Sequence, residues 1–390
     1  MLPNHVLFVM LAPFVSGAEH QTLALCRYLQ QRCRVTLLVN DELGELLRSD
    51  PFLSAYTTAL SIETVGKAFP AKFARSPVGA LRRGALYPKL QLRLARSVRH
   101  RKPDLVHLML APSFFAYLPL FWMMGIPSVM TLAGEMRYVR HFYGAAKRLS
   151  VRAAVRMADG LIACSADELA NLRAVEPAHA ARATVLDNFT DVARWAPQRK
   201  DPNRVAYAAR LHPEKAPILF VEAAAQVAES HPGARFALYG RGELGGEVDA
   251  RIAALSLGGR IQRGFLTDLA PLFGGSSIFV SCQLHENLGS SSLLEAMAAG
   301  NAVVATDVGQ TRQIVDESVG VLVEPTGDAI AAGIRRLLDE PDATARKGRA
   351  ARERVLAGYG PDRYIDRLLE VYARVLEGKR GSHSAAAQSV

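Results

Sequence analysis

The chain has 390 residues, 49% of them hydrophobic, with 47 Lys+Arg against 37 Asp+Glu and a formal net charge of +10. This composition excludes a disordered polymer, and the length suits about two domains at roughly 100–200 residues each. The four cysteines, Cys26, Cys33, Cys164 and Cys282, show no CxxC pair and no regular spacing, so they read as reduced thiols of a cytoplasmic protein, not as a disulfide framework.

From its start the chain alternates short apolar runs with helical patterns, the signature of parallel βαβ units covered on both faces. The opening segment lacks the charged region and small-residue cleavage site of a secretory signal. In the first half the predicted strands are HVLFVM, RVTLLV, DLVHLML, PSVMTL, GLIAC and ATVLD. PFVSGAEHQTLALCRYL, containing Gly17, reads as a loop and helix after the first strand. The whole charge surplus lies in this half: residues 1–195 hold 24 Lys+Arg and 14 Asp+Glu, and residues 196–390 hold 23 of each. Residues 64–103 alone carry 11 Lys/Arg and no acid. Within them Leu90, Leu94 and Val98 fall at helical spacing among arginines. Such a surface suits an anionic membrane or a phosphate-bearing acceptor, or is simply an Arg-rich solvated face. Nothing in the pattern points to nucleic acid.

Residues 105–134 carry no formal charge. Pro119 and the Gly125–Pro127 step divide them into pieces too short to span a bilayer, so a buried strand, helix and strand are expected. His107 lies on the first of these strands, as a core histidine or a site residue. NFTDVARWAPQRKDPN, residues 188–203, is polar and suits an interdomain linker. In the second half the predicted strands are RVAYAA, RFALYG, IQRGF, SIFVSC, NAVVAT and GVLVEP. Two helical patterns then close the fold. The expected organisation is α/β: two Rossmann-like, doubly wound parallel-sheet domains facing across a cleft. They would span 1–195 and 196–360, with a helix at 361–378 that can return to the first domain and a disordered tail at 379–390.

Three stretches of the second half can carry chemistry. In YAARLHPEKAPILF, Arg210 and Lys215 follow a strand end, placed for a diphosphate or forming an ordinary surface loop. In FALYGRGEL, Gly240 and Gly242 permit close backbone approach, to a nucleotide or within a tight turn. In SIFVSCQLHENLGSSSLLEAMAAG, a loop opens a helix whose free N–H groups and Gly289 suit an anion. Glu295 there is either the far end of a capping box with Ser292 or an acceptor for ribose hydroxyls. No Asp-x-Asp and no His/Cys cluster is present, so no metal and no cofactor are expected.

ARLHPEKA, LYGRGEL, the run from GFLTDLAPLF through HENLGSSSLLEAMAAGNAVVATDVGQTRQIV, and GVLVEP, in this order, resemble the donor domain of the family 4 retaining glycosyltransferases, which have the two-Rossmann GT-B fold. The resemblance is close over residues 203–330 and looser elsewhere. It implies a nucleoside-diphosphate sugar as donor, with Arg210 and Lys215 on the diphosphate, Glu286 at the transferred sugar and Glu295 at the ribose. Gly17, Gly240, Gly242, Asn287, Leu288, Gly289 and Ser290 complete the implied donor site. Two departures stand out. Eight residues separate Glu286 from Glu295 where the family has seven, making Asn287 the strict counterpart of the first acid. Ala133, in PSVMTLAGEMR, stands where the family carries a histidine, with Glu135 and His107 as acceptor-side substitutes.

The expected reaction is transfer of a hexose to a hydroxyl acceptor with retention, in the assembly of cell-surface polysaccharide, lipopolysaccharide or glycolipid. It would occur in the cytoplasm or peripherally at the inner face of the membrane. The alternatives are a nucleotide-sugar-binding protein of this fold without transferase activity and a nucleotide-sugar epimerase.

Overall fold

The computed structural model describes residues 2–67, 77–109, 118–141, 143–196, 198–285 and 290–388. The chain divides into two units, one of Met1–Asp187 with Asp362–Val390 and the other of Asn188–Pro361.

The first unit carries β1 (His5–Met10), β2 (Arg34–Val39), β3 (Ser61–Thr64), β4 (Leu105–Met109), β5 (Ser128–Leu132), β6 (Gly160–Ala163) and β7 (Ala183–Val185). They form a seven-stranded sheet in the order β3-β2-β1-β4-β5-β6-β7, and every pairing is parallel. The continuous apolar runs follow from this, because strands covered on both faces have no solvent side. β3 breaks the pattern. Its sequence, SIET, is exposed to half-buried at the sheet edge, and it carries none of the apolar signal that marks the other strands.

The basic segment folds into the helix Pro77–Arg101. Leu90, Leu94 and Val98 face the core, 8%, 0% and 2% exposed, so this apolar stripe is consumed by packing, while Arg93, Arg96 and Arg99 meet solvent together with Leu92, which is 53% exposed. Among the described residues no helix is long and apolar enough to cross a membrane. Part of the uncharged segment, residues 110–117, lies outside the described residues.

The second unit carries β8 (Asp201–Ala208), β9 (Arg235–Tyr239), β10 (Ile261–Gly264), β11 (Ser276–Ser281), β12 (Ala302–Thr306) and β13 (Gly320–Val323). Their order is β10-β9-β8-β11-β12-β13, again all parallel. The two-residue period of a strand sorts its side chains to the two faces. Val205 and Tyr207 join Phe220, Ala224, Ile330 and Ile334 on one side. Ala206 and Ala208 join Leu293, Leu294, Met297 and Val355 on the other. Chain order runs outward from β8 to one edge and then outward from β11 to the other. The carboxyl ends of this adjacent pair therefore form the topological switch point, where open α/β sheets place their ligands.

The division between the units falls at Asp187/Asn188, ahead of the boundary expected near residue 195. The polar composition of 188–200 hides its anchors. Trp195 is 2% exposed, its ring 5.6 Å from that of Phe273, and its Nε1–H donates to Thr190 Oγ1 at 3.0 Å. Lys200 Nζ donates to the carbonyls of Phe273 and Ser276 at 2.9 and 2.8 Å. Both residues tie the segment to the second unit. At the other end, the helix Pro361–Gln388 belongs to the first unit and runs on through most of the expected disordered tail, where three consecutive alanines favour it.

Candidate functional site at the switch point of the second sheet

Arg210 and Lys215 lie in the connection leaving β8. After β8, His212 opens a 3-10 turn at Pro213–Lys215, and Ala216 ends it in the left-handed region at φ 41° before Pro217 starts the helix Pro217–Ser230. A non-glycine residue there costs about 1–2 kcal/mol, and such backbone strain gathers at functional sites. Arg210 is exposed and Lys215 half-buried.

The connection leaving β11 meets this turn. Lys215 Nζ donates to Gln283 Oε1 at 2.9 Å, and Leu284 N–H donates to Glu214 O at 3.2 Å. Gln283, only 3% exposed, is itself held from the next strand. The Thr306 hydroxyl accepts from Gln283 N–H and donates to Gln283 O, both at 2.8 Å. The loops after the two switch-point strands are thus joined by side chain and backbone, and an ammonium sits at the junction. Gln283 was visible in the sequence as the second residue past the strand, but its type gave no signal.

Gly240 and Gly242 serve the same loop by packing. A Cβ on Gly240 would lie 1.9 Å from Ala209 O, and one on Gly242 2.3 Å from Leu211 O. Leu211 N–H donates to Arg241 O at 2.9 Å and Leu244 N–H to Leu211 O at 3.1 Å, so the two glycines let the β9 loop clamp the backbone around Arg210.

The helix after β11 is Ser291–Ala298, with Ser290 as its N-cap. This removes the capping-box explanation for Glu295. The third helical position is Leu293, and Glu295 lies two residues further in, beyond reach of a reciprocal cap. Burial instead pushes the Glu295 carboxyl up to about 7; Arg194 pulls it back, and Asp268 and Asp191 push it further. Arg194 Nη2 donates to Asp268 Oδ1 at 2.7 Å and its guanidinium lies 4.5 Å from the Trp195 ring centroid. Arg194, Asp191 and Asp268 were not singled out in the sequence, because the segments that bring them to Glu295 are remote along the chain. Glu286, Asn287, Leu288 and Gly289 lie outside the described residues.

In the first unit, Gly17 opens the helix Gly17–Leu29 after β1, where the Glu19 carboxylate accepts from Ser16 N–H at 2.8 Å. His107 is not available to an acceptor. It is 0% exposed, with Nδ1 2.6 Å from Tyr372 Oη and Nε2 2.7 Å from Thr131 Oγ1, and burial drives its pKa down to about 3. It is a neutral core histidine. Ala133 is exposed just past β5, and Glu135 begins the helix Glu135–His141, its side chain lying outside the described residues. The turn between them is fixed by Glu168 from below: its Oε1 accepts from Gly134 N–H at 3.2 Å and Met136 N–H at 2.9 Å.

Two family models match the chain: "Glycosyltransferase Family 4" over residues 15–194 and "Glycosyl transferases group 1" over residues 190–354. Similar proteins include glycogen synthase of Mycobacterium tuberculosis, 29% identical over 238 residues, or 58% of this chain and 56% of the relative. D-inositol 3-phosphate glycosyltransferase of Nocardiopsis dassonvillei is 30% identical over 252 residues, 56% of each. The chain thus matches little more than half the length of these relatives. Among solved structures, Anabaena HepE with UDP and glucose aligns at a TM-score of 0.77 and 18% identity, covering 94% of this chain and 99% of that one. Sucrose-phosphate synthase from Thermosynechococcus elongatus aligns at 0.77 and 20%, covering 96% and 100%. At these identities the structures speak to the fold alone. With two family models that together run from residue 15 to residue 354, on two parallel Rossmann-like sheets, the chain belongs to the family 4 glycosyltransferases of GT-B fold.

Proposed function

We propose that the chain transfers a hexose from a nucleoside-diphosphate sugar to a hydroxyl acceptor with retention at the anomeric carbon. The observation that carries this is the joining of Lys215 to Gln283 at the β8/β11 switch point, which sets an ammonium where an open α/β sheet receives its ligand. The UDP and UDP-glucose complexes of Anabaena HepE make a uridine diphosphate the first donor to test.

In this reading the acceptor hydroxyl attacks the anomeric carbon on the face from which the diphosphate leaves. The carbon–oxygen bond to the diphosphate breaks as the new glycosidic bond forms, and the hydroxyl proton passes to the departing phosphate oxygen. Arg210 and Lys215 stabilise the charge that develops on the leaving group, a preorganised electrostatic role that needs no protein nucleophile and assigns no step to a metal. Glu295 accepts from the ribose hydroxyls, and Glu286 or Asn287 meets the transferred sugar.

The acceptor we propose is a glycan or lipid-linked glycan of the cell surface, reached at an anionic membrane face. The exposed Arg93, Arg96 and Arg99 of the helix Pro77–Arg101 support this, as does the helix Ala145–Met157, which exposes Leu149 beside Lys147 and Arg148. A second reading, donor binding without transfer, rests on Ala133 at the place of the family histidine. Thermal-shift titration with UDP-, GDP- and ADP-sugars identifies the donor, since a ligand of the folded state raises stability by mass action. Release of the nucleoside diphosphate across a panel of acceptors then separates transfer from binding.

A further inference from the structure

In the first unit a cavity of about 650 Å³ opens at the amino-terminal ends of β6 and β7, the end of the sheet opposite to that where α/β sheets bind their substrates. Its polar lining is Asp159, Arg182, Thr184, Arg374 and Lys379, and Val371 and Val375 supply an apolar wall. The charges do not cancel. Asp159 is committed: its Oδ2 accepts from Ser128 N–H at 2.9 Å and its Oδ1 pairs with Lys379 Nζ at 3.0 Å. Arg182 donates only to neutral acceptors, the carbonyls of Val155 and Arg156 at 3.2 and 3.4 Å. Arg374 donates to Thr184 Oγ1 at 2.9 Å. Among the described residues neither guanidinium is ion-paired, and a guanidinium has five N–H donors, so most of this capacity remains for a ligand.

We propose that this cavity binds a small phosphorylated sugar, with the phosphate between Arg182 and Arg374 and the carbon skeleton against Val371 and Val375. Arginine pairs match the oxygens of a phosphate in a way that a lone lysine does not. The volume falls in the range of small-molecule sites and far exceeds that of a bare ion. Among the described residues no aromatic ring lines it, so a nucleobase finds no stacking partner there. The fixed carboxylate of Asp159 disfavours a ligand with more than one phosphate. Both walls come from one unit, because the helix Pro361–Gln388 packs beside the edge strand β7, where Arg367 Nη2 donates to Val185 O at 2.8 Å. The site is therefore independent of the donor site proposed in the second unit.

The test is calorimetric titration of the full chain with glucose 6-phosphate and, separately, inorganic phosphate. One saturable site for the sugar phosphate is expected, with inorganic phosphate at least about tenfold weaker. Arg182→Gln with Arg374→Gln should weaken the sugar phosphate by at least about tenfold, the scale of a lost charge-assisted hydrogen bond. Should the double variant fold poorly, hydrogen exchange on the wild-type chain answers the same question, with protection expected at residues 180–185 and 371–380. Absence of saturable binding, equal binding of inorganic phosphate, or protection confined to the loops after β8 and β11 would overturn the proposal.

Discussion

Lys215 and Gln283 meet at 2.9 Å, and their hydrogen bond joins the two loops that leave β8 and β11, the adjacent parallel strands at the switch point of the second sheet. Gln283→Leu keeps the volume and removes the acceptor, freeing the ammonium to swing away from its place. Turnover is expected to fall by about tenfold, the value of a hydrogen bond to a charged group, with a smaller change in KM because the cation itself remains. Steady-state kinetics with the donor held variable checks this. An unchanged kcat would show that Gln283 does not position Lys215.

The Glu295 carboxyl, raised to about 7 from an ordinary 4.5, leaves a pH signature of known sign. The folded state holds this proton more tightly than the unfolded chain, so stability falls as pH rises from about 4.5 through 7 and is flat above that. Glu295→Gln removes this loss, so the variant should gain stability relative to the wild type as pH rises from about 4.5 to 7, with a constant difference above that. Denaturant titrations at several pH values show whether it does. In the same range, affinity for a nucleoside diphosphate should rise with pH in the wild type and stay level in the variant.

His107 gives the opposite slope. Held neutral with a pKa of about 3 against 6.5 in an unfolded chain, it contributes stability above 6.5 that is lost as pH falls towards 3. Tyr372→Phe removes the hydroxyl bonded to its Nδ1 and leaves one ring nitrogen unsatisfied, which should cost about 1–3 kcal/mol. Chemical denaturation measures that loss, while kcat at saturating substrate is expected to stay at the wild-type value. A large kcat defect in a well-folded Tyr372→Phe would return the histidine to the reaction.

Gly242→Ala places a methyl group where Leu211 O already sits, 2.3 Å from the new carbon. The loop around Arg210 must give way, at about 1–3 kcal/mol by the usual scale of overpacking. Donor KM should rise in step if this backbone carries, in Arg210, the cation proposed for the diphosphate. Retained donor affinity in a destabilised variant would mean that Arg210 is not held by this clamp.

Much of the fold was legible because parallel strands buried on both faces read as unbroken apolar runs. Edge strand β3 was not, since SIET is half-solvated and polar. The Arg210–Lys215 turn was legible as two cations past a strand, yet what holds it was not. Gln283 meets Lys215 across 68 residues of chain and Thr306 meets Gln283 across 23, and no local pattern encodes such meetings. Glu295 shows the same limit from the other side. Ser292-x-x-Glu295 is a valid cap in sequence, but the helix begins at Ser291, and its electrostatic setting is built by Arg194, Asp268 and Asp191 from elsewhere in the unit. His107 was placed on its strand, while its partner Tyr372 arrives from the far end of the chain, 265 residues away.

The most direct test of the donor assignment is calorimetric binding of UDP to the wild-type chain and to Arg210→Ala and Lys215→Ala, with folding checked by thermal denaturation. Saturable binding to the wild type, weakened by at least about tenfold in each variant at unchanged melting temperature, is the predicted result. Wild-type affinity in both variants would contradict a diphosphate site at the β8/β11 switch point.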